Sequence, residues 1–267
     1  MLSVPLAPVM AHIINASMRT GFVPTRFKDG KQTPVFKEGE IRVNNFRPIT
    51  VCNSLSKILE KVVRTRITEH VKSCNILTPS QYGFRKKLST AHAMINLLET
   101  TLDGLDKGLK TGSVFLDVSK AFDVVPHRLL LRKLEYYGVR SNALMWFESY
   151  LTGRNQYVAI RDKSSKRYKN MYGVPQGGTL APILFILFMN DIVNSSNVLD
   201  FSIYADDTCL MINVEKNEYD ETIKIELHKV FEWFHCNQLL INVDKTGYLF
   251  FGPNPHKMYI KGEYDLS

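Results

Sequence analysis

The chain has few cysteines, no long apolar run and no signal-peptide pattern at its first residues, and each shortage argues against a class of protein. Its four cysteines are scattered without a CxxC pair or a flanking histidine doublet, so we expect neither a zinc site nor a disulfide framework. The longest strongly apolar run, residues 180–189, is too short to cross a bilayer, and the N-terminus does not read as a signal peptide. We therefore expect an intracellular protein of the nucleus or cytoplasm that is not secreted and has no membrane partner.

What the chain does have is enough apolar sequence for a core and a basic charge balance. It contains 267 residues, of which 45% are hydrophobic, which fits one large domain or two close subdomains. Its 34 Lys and Arg outnumber its 26 Asp and Glu, which gives a net charge of +8. This balance favours a polyanionic partner such as nucleic acid, although charge alone fits equally well a basic protein without such a ligand.

Two adjacent carboxylates, Asp206 and Asp207, form the most informative pattern in the sequence. They lie between two apolar, β-prone runs, residues 199–204 and 208–213. The pattern predicts a hairpin with both aspartates at its tip. Adjacent aspartates repel each other, so the tip is strained unless a cation binds there. An ordinary solvated turn is the alternative for such a pair taken alone.

A third carboxylate, Asp117, ends the apolar run 113–116, far upstream of the hairpin. If two strand ends bring the three aspartates together, they form a hard-oxygen site suited to Mg²⁺. Two Mg²⁺ ions, with Mn²⁺ as the alternative, would hold the attacking and leaving oxygens of a phosphoryl transfer. The carbonyl of Val118, unpaired at the strand end, is a further candidate ligand.

Apolar periodicity and turn residues predict a mixture of helices and short strands. Helices are predicted near residues 8–18, 54–71, 90–105, 141–151, 180–193 and 218–236, with another between Pro126 and Gly138. The helix over 90–105 has one apolar stripe, made of Ala91, Met94, Ile95, Leu98 and Leu102. Strands are predicted near 113–116, 156–160, 167–172, 240–243 and 247–251, besides the aspartate hairpin. This order is typical of an α+β fold with a split βαβ, ferredoxin-like antiparallel sheet covered by helices.

Three separated blocks carry a family resemblance. They are the aspartate block at 115–123, the sequence GVPQGG at 173–178 and the sequence YADD at 204–207. In this order they resemble the reverse transcriptase domain of non-LTR (LINE-type) retrotransposons of the jockey-like kind, from about Thr20 to Gly252. The resemblance implies a polymerase right hand with a fingers subdomain at 1–110 and a palm subdomain at 111–267. It also implies Asp117, Asp206 and Asp207 as the catalytic residues.

The resemblance further implies residues that contact the incoming nucleotide. Phe122 would lie under the sugar and exclude a ribose 2′-hydroxyl, with a core aromatic as the alternative. Lys37 and Arg47 would contact the triphosphate, although isolated basic residues are usually only solvated. Gln176 and Gly177 would approach the sugar or base, with an ordinary strand-to-helix loop as the alternative.

Two more blocks receive roles from the same resemblance. The template–primer groove would be lined by Gln81, Tyr82, Gly83, Phe84 and Arg85, whose aromatic and basic character suits base stacking and backbone charge. A core corner is equally consistent with Tyr82. Lys245 would give a proton to the departing pyrophosphate or neutralise it, with an exposed turn lysine as the alternative.

The function implied is an RNA-directed DNA polymerase whose partners are an RNA template, a DNA primer and deoxynucleoside triphosphates. The resemblance also predicts a fingers–palm unit without the thumb, from a longer parent protein that carries thumb and endonuclease segments, and hence low processivity. The alternative is a catalytically silent nucleic-acid-binding remnant of the same fold. The three aspartates favour the polymerase, and the absent thumb favours the remnant. An RNA polymerase of the same palm type is a weaker rival because Phe122 opposes it.

Overall fold

A computed structural model describes residues 3–36, 39–40, 42, 45–252 and 257–259. The helices in this part of the chain are α1 (Ser3–Thr20), α2 (Ser54–Ser73), α3 (Thr90–Asp106), α4 (Ala121–Val124), α5 (His127–Tyr136), α6 (Ser141–Leu151), α7 (Ala181–Met189) and α8 (Tyr219–Cys236). The strands are β1 (Asp29–Phe36), β2 (Phe46–Cys52), β3 (Lys110–Leu116), β4 (Arg154–Ile160), β5 (Lys163–Ser164), β6 (Tyr168–Asn170), β7 (Asp200–Tyr204), β8 (Asp207–Val214), β9 (Gly247–Phe251) and β10 (Lys257–Tyr259). The predicted α+β class is confirmed.

The chain divides into two compact units, and each unit is built from two separate segments. The first unit contains Met1–Ile76 and Phe122–Leu187, and the second contains Leu77–Ala121 and Phe188–Ser267. The fingers and palm limits at residue 110 remain a prediction, because this division follows contacts rather than function. None of the helices in the described part of the chain combines the length and apolar character that crossing a bilayer requires.

An antiparallel sheet forms the centre of the second unit, in the strand order β10-β9-β3-β8-β7. The inner strand β3 pairs with both β8 and β9. Its residues Val114 and Leu116 are buried, whereas the intervening Phe115 is more exposed, as the two-residue period of a strand requires. The order of β3, β7 and β8 positions the predicted aspartates, because the ends of neighbouring antiparallel strands meet at one edge.

Helix α3 packs on this sheet with a face that periodicity did not single out. The buried positions are Leu97, Thr101 and Gly104, and the carbonyl of Thr100 accepts a hydrogen bond from the Asn213 side chain at 2.8 Å. The predicted stripe is exposed instead, with Met94 at 56% and the other large members similarly open. Thr101 and Gly104 are small and let the helix approach the strands closely, while the bulky apolar stripe stays exposed.

The first unit contains a second sheet in the order β2-β1-β4-β5, with β6 also paired to β4. Strands β1 and β4 are parallel, and the other pairings are antiparallel. Helix α2 buries Leu59, Glu60 and Val63 and leaves its basic residues Lys57, Lys61, Arg64 and Arg66 exposed. A charged residue within the buried face of α2 was not expected from the pattern.

Helix α7 is buried on all sides, as its uniformly apolar sequence predicts. Residues from Leu184 to Met189 have no exposed surface. The helix ends at Met189, before the predicted limit of 193, and a 3₁₀ turn follows at Ile192–Ser195. The strand predicted at 240–243 is reduced to a single bridge between Val118 and Ile241, because a 3₁₀ turn begins at Val243.

Candidate functional site

The tip of the β7–β8 hairpin carries the two adjacent aspartates. Tyr204 pairs with Asp207, which leaves Ala205 and Asp206 as a two-residue loop. Ala205 has φ of 61° at the first loop position, where type II′ turns favour glycine. A side chain in this left-handed region costs about 1–2 kcal/mol, so contacts from elsewhere have to hold the loop.

Asp117 reaches the same edge of the sheet at the end of β3. The last pair between β3 and β8 is Leu116 with Thr208, so one further step in the same register brings Asp117 beside Asp207. Burial first, and then the negative charges of Asp206 and Asp117, raise the pKa of Asp207. Asp207 is therefore close enough to both Asp206 and Asp117 to be affected by their charges.

The segment after α8 fixes the orientation of Asp117. The side-chain Nδ2 of Asn242 donates to Oδ2 of Asp117 at 2.8 Å, and the backbone N–H of Asn242 donates to the Asp117 carbonyl at 2.8 Å. On the other side of Val118, the N–H of Ser119 donates to the Leu240 carbonyl. The Val118 carbonyl takes part in neither bond, so its prediction as a ligand stays compatible with the backbone pairing.

The donor chemistry of this cluster fits a hard divalent cation, since carboxylate and carbonyl oxygens are the ligands that Mg²⁺ prefers. A cation would also relieve the repulsion that raises the pKa of Asp207. Among the residues that the structure describes, no group of three or more His, Cys, Asp or Glu is already arranged to hold a metal ion. The carboxylates are therefore neighbours, but they do not form a preassembled coordination shell.

Gln81 holds the aspartate loop from the neighbouring chain segment. Its side chain is 0% exposed, and its Oε1 accepts from the backbone N–H of Gly83 at 2.8 Å and of Ala205 at 3.2 Å. The backbones also meet, because the N–H of Tyr82 donates to the Ile203 carbonyl at 2.7 Å. A Cβ at Gly83 would collide with the backbone nitrogen of Ala205. Gln81 and Gly83 thus support the aspartate turn in this structure.

The other members of the 81–85 block are placed differently. Phe84 is 51% exposed. Arg85 is half-buried, and its Nη1 donates to the carbonyls of Thr78 and Gln81 at 3.1 and 2.9 Å. Burial, the largest cause, raises the pKa of the half-buried Tyr82. Their contact with a template remains a prediction.

Lys245 lies exposed in the 3₁₀ turn that follows Asn242, and its backbone N–H donates to the Asn242 carbonyl. The same short segment therefore orients Asp117 and carries the lysine predicted to act on pyrophosphate. Lys37, predicted to contact the triphosphate, lies outside the described residues.

In the first unit, Phe122 lies against the loop at 173–178 and helix α7. Its carbonyl accepts from the N–H of Val174 at 2.7 Å. Its ring stacks on Phe185, with centroids 4.5 Å apart and planes inclined by 24°. The side chain is half-buried, so one face of the ring is packed. Both the sugar-contact role and the core role remain compatible with this placement.

The loop that contains Gln176 and Gly177 is bonded to strand β2. The N–H of Thr50 donates to the Gln176 carbonyl at 2.8 Å. Gly177 has φ of 105°, and a Cβ there would lie 2.6 Å from the Thr50 carbonyl oxygen, so the close approach requires glycine. Arg47 is exposed on the same strand. The first unit therefore brings the strand of Arg47 against the predicted nucleotide loop.

Comparison with known proteins decides the family. Residues 31–258 match the family model described as reverse transcriptase (RNA-dependent DNA polymerase). The chain belongs to the reverse transcriptase family. Among its relatives is the probable RNA-directed DNA polymerase from transposon BS of Drosophila melanogaster, which is 30% identical over 253 residues, 89% of this chain and 27% of the relative. The RNA-directed DNA polymerase from mobile element jockey of Drosophila funebris is 29% identical, over 74% of this chain and 23% of the relative. This reverse transcriptase chain thus spans about a quarter of the length of these mobile-element relatives.

The fold comparison agrees with the family. The structure of apo telomerase from Candida tropicalis superposes with a TM-score of 0.65 and 13% sequence identity, covering 95% of this chain and 49% of that one. At this identity the likeness shows the fold alone, which is the fingers–palm arrangement of a polymerase right hand.

Sequence reasoning missed two supporting residues of this reverse transcriptase site. Asn242 lies within the strand predicted at 240–243, and its contact with Asp117 joins positions 125 residues apart. Gln81 was assigned to the template, whereas its buried oxygen binds the aspartate loop 124 residues away. No local signal in the sequence marks either residue, because each acts on a partner more than a hundred positions away.

Proposed function

We propose that this chain has RNA-directed DNA polymerase activity and adds deoxynucleotides to a primer 3′-hydroxyl opposite an RNA template. The observation that carries the proposal is the placement of Asp117 and Asp207 at the ends of adjacent strands, with Asp206 in the loop between β7 and β8. Membership of the reverse transcriptase family and the names of the mobile-element relatives support it.

The aspartates would hold Mg²⁺ or Mn²⁺, with the Val118 carbonyl as a further oxygen donor. When bound, two such ions supply charge neutralisation for the attacking and leaving oxygens. Asn242 keeps Oδ2 of Asp117 in place by its hydrogen bond, and Gln81 keeps the loop of Asp206 in its strained conformation. Because both supports are neutral, they orient the carboxylates without competing for the cation.

The nucleotide-binding roles are proposals for residues of the first unit and for Lys245. Arg47 would pair its planar guanidinium with the triphosphate, and Gln176 and Gly177 would contact the sugar or base. Phe122 would contact the sugar edge and exclude a 2′-hydroxyl. The exposed Lys245 would protonate or neutralise the departing pyrophosphate. Lys37 would join Arg47 on the triphosphate, by family resemblance alone.

We assign the template–primer roles to the aromatic and basic side chains of the 81–85 block, near the aspartate turn. Phe84 would stack on a base, and Tyr82 and Arg85 would contact the nucleic acid beside it. The net charge of +8 favours binding to phosphates of any sequence. An RNA template and a DNA primer are therefore the partners that we propose, with deoxynucleoside triphosphates as substrates.

A primer-extension assay on an RNA template tests the proposal, with wild type beside Asp206→Asn. The substitution keeps the size of the side chain and removes its charge, so extension should fall by about a thousandfold or more, equivalent to several kcal/mol of lost stabilisation. Asp200→Asn is the matched control, since Asp200 is exposed at the opposite end of β7. Wild-type protein that binds template–primer but extends nothing would instead identify a silent remnant.

A further inference from the structure

Helix α2 carries a carboxylate in the interior of the first unit. Glu60 is 1% exposed, although an ionised side chain is almost never fully buried without partners. Its Oε2 accepts the backbone N–H of Thr179 at 2.6 Å, and its Oε1 receives a longer hydrogen bond from the Ser56 hydroxyl at 3.4 Å. The stronger contact of Glu60 is therefore with the loop that precedes α7.

A buried cation balances this carboxylate within the same cluster. Arg154 is also 1% exposed; its Nη1 donates to the Tyr150 carbonyl at 3.3 Å, and its guanidinium carbon lies 5.1 Å from the centre of the Tyr150 ring. Burial and then the charge of Glu60 raise the pKa of the Tyr150 phenol, while Arg154 opposes them. Glu60 and Arg154 thus both act on one buried tyrosine.

The backbone of the loop fits closely over the cluster. A Cβ on Gly178 would lie 3.0 Å from Oε2 of Glu60 and 3.3 Å from the Tyr150 hydroxyl. The N–H of Gly178 donates to the Pro175 carbonyl at 2.8 Å, which closes a turn around Gln176 and Gly177. Strand β2 holds the start of this turn through the bond from Thr50 to Gln176, and Glu60 holds its end through Thr179.

We propose that Glu60 is a positioning residue that fixes the backbone of residues 176–179 so that Gln176 and Gly177 are presented to the incoming nucleotide. The proposal rests on the polymerase function proposed above for the identity of that nucleotide. The hydrogen bond to Thr179 itself does not depend on it.

Three variants separate positioning from simple stabilisation. Glu60→Ala removes the acceptor, and Glu60→Gln keeps a neutral oxygen acceptor of the same reach. Thr179→Pro removes the N–H donor, fixes φ at residue 179 and leaves both buried charges in place. Glu69→Ala is the matched control, because Glu69 is exposed on the same helix. If Glu60→Ala fails to fold because the charge of the buried Arg154 loses its counter-charge, the result for Thr179→Pro decides between positioning and stabilisation.

The first measurement is hydrogen–deuterium exchange of peptides that cover residues 174–182 and, as a fold control, residues 141–151 of α6. We expect Glu60→Ala and Thr179→Pro to speed exchange around the loop by about tenfold, the loss of one charge-assisted hydrogen bond, while α6 stays protected. Glu60→Gln keeps a weaker, neutral acceptor and should lose clearly less protection than Glu60→Ala, whereas Glu69→Ala should remain close to wild type.

The second measurement is steady-state primer extension with varied deoxynucleotide concentration. Loop release should raise KM for the deoxynucleotide by about tenfold and leave the affinity for template–primer unchanged, a split that general destabilisation would not produce. Unchanged loop exchange and KM in a folded Thr179→Pro protein would overturn the proposal, as would a Glu60→Gln protein that loses as much as Glu60→Ala. If every protein is inactive but loop exchange responds as expected, positioning stands and the polymerase proposal fails.

Discussion

The two units each hold a functional loop with one buried side-chain oxygen, but the acceptors differ in charge. In the second unit, the neutral amide of Gln81 accepts from Ala205 beside the two aspartates. In the first unit, the carboxylate of Glu60 accepts from Thr179 in a loop without acidic residues. An amide oxygen therefore accepts the loop N–H in the second unit, and a carboxylate oxygen accepts it in the first.

The electrostatic surroundings explain this difference. Beside the aspartate turn, the pKa of Asp207 is already raised by burial and by the charges of Asp206 and Asp117, so a further carboxylate would add repulsion. In the first unit the buried Arg154 supplies a compensating positive charge. A charged acceptor makes a stronger hydrogen bond than a neutral one. Of the two loops compared, the charged acceptor is found in the one that has a positive charge nearby.

Replacing Gln81, the neutral acceptor of the second unit, by a charged one should have the largest effect on this comparison. Gln81→Glu keeps the length and an acceptor oxygen but introduces a carboxyl group beside the aspartates. Burial and the negative neighbours would raise the pKa of that group in the folded state above its unfolded value near 4.3. Folding stability should then be close to wild type near pH 4 and fall as the pH rises, by about 2–4 kcal/mol at pH 8.

Urea unfolding of wild type and Gln81→Glu between pH 5 and pH 8 measures this loss. Gln81→Met is the control, since it removes the two hydrogen bonds without adding charge and should lower stability by a similar amount at every pH. A pH profile of Gln81→Glu that runs parallel to wild type would mean that a charge on the acceptor beside the aspartate turn does not affect the free energy of unfolding.

A smaller effect is expected at Phe122 in the first unit. Substitution there distinguishes a role of this ring in packing from a role in substrate contact. Phe122→Val should raise ribonucleotide incorporation relative to deoxynucleotide by about tenfold to a hundredfold, because the shortened side chain admits a 2′-hydroxyl. Competition between matched ribo- and deoxynucleotides in primer extension measures the ratio. Phe185→Leu, which removes the stacking partner, separates the ring itself from its packing. Equal discrimination in Phe122→Val and wild type would assign Phe122 to the core.

Local patterns predicted the acidic turn well and its supports poorly. The hairpin of Asp206 and Asp207 follows from two adjacent β-prone runs, so the neighbouring sequence was sufficient. Gln81 and Asn242 act on residues more than a hundred positions away, and single-sequence periodicity carries no information about such partners. Glu60 interrupts an apolar face, and its partner Thr179 is likewise more than a hundred positions away.

Helix α3 shows a second limit of pattern reasoning. Its bulky apolar stripe is open, and Leu97, Thr101 and Gly104 are buried instead. The predicted roles of Arg47, Gln176 and Lys245 remain predictions for a related reason: the function of such polar side chains depends on a ligand, and neither the periodicity of the sequence nor packing identifies that ligand.

Mn²⁺ binding to the chain, followed by electron paramagnetic resonance, tests most directly whether the aspartates form the metal site of a polymerase. Our account predicts saturable binding to wild type and to the Asp200→Asn control, and binding weakened by more than about tenfold in Asp117→Asn/Asp206→Asn. Equal Mn²⁺ affinity in wild type and in the double variant would contradict it.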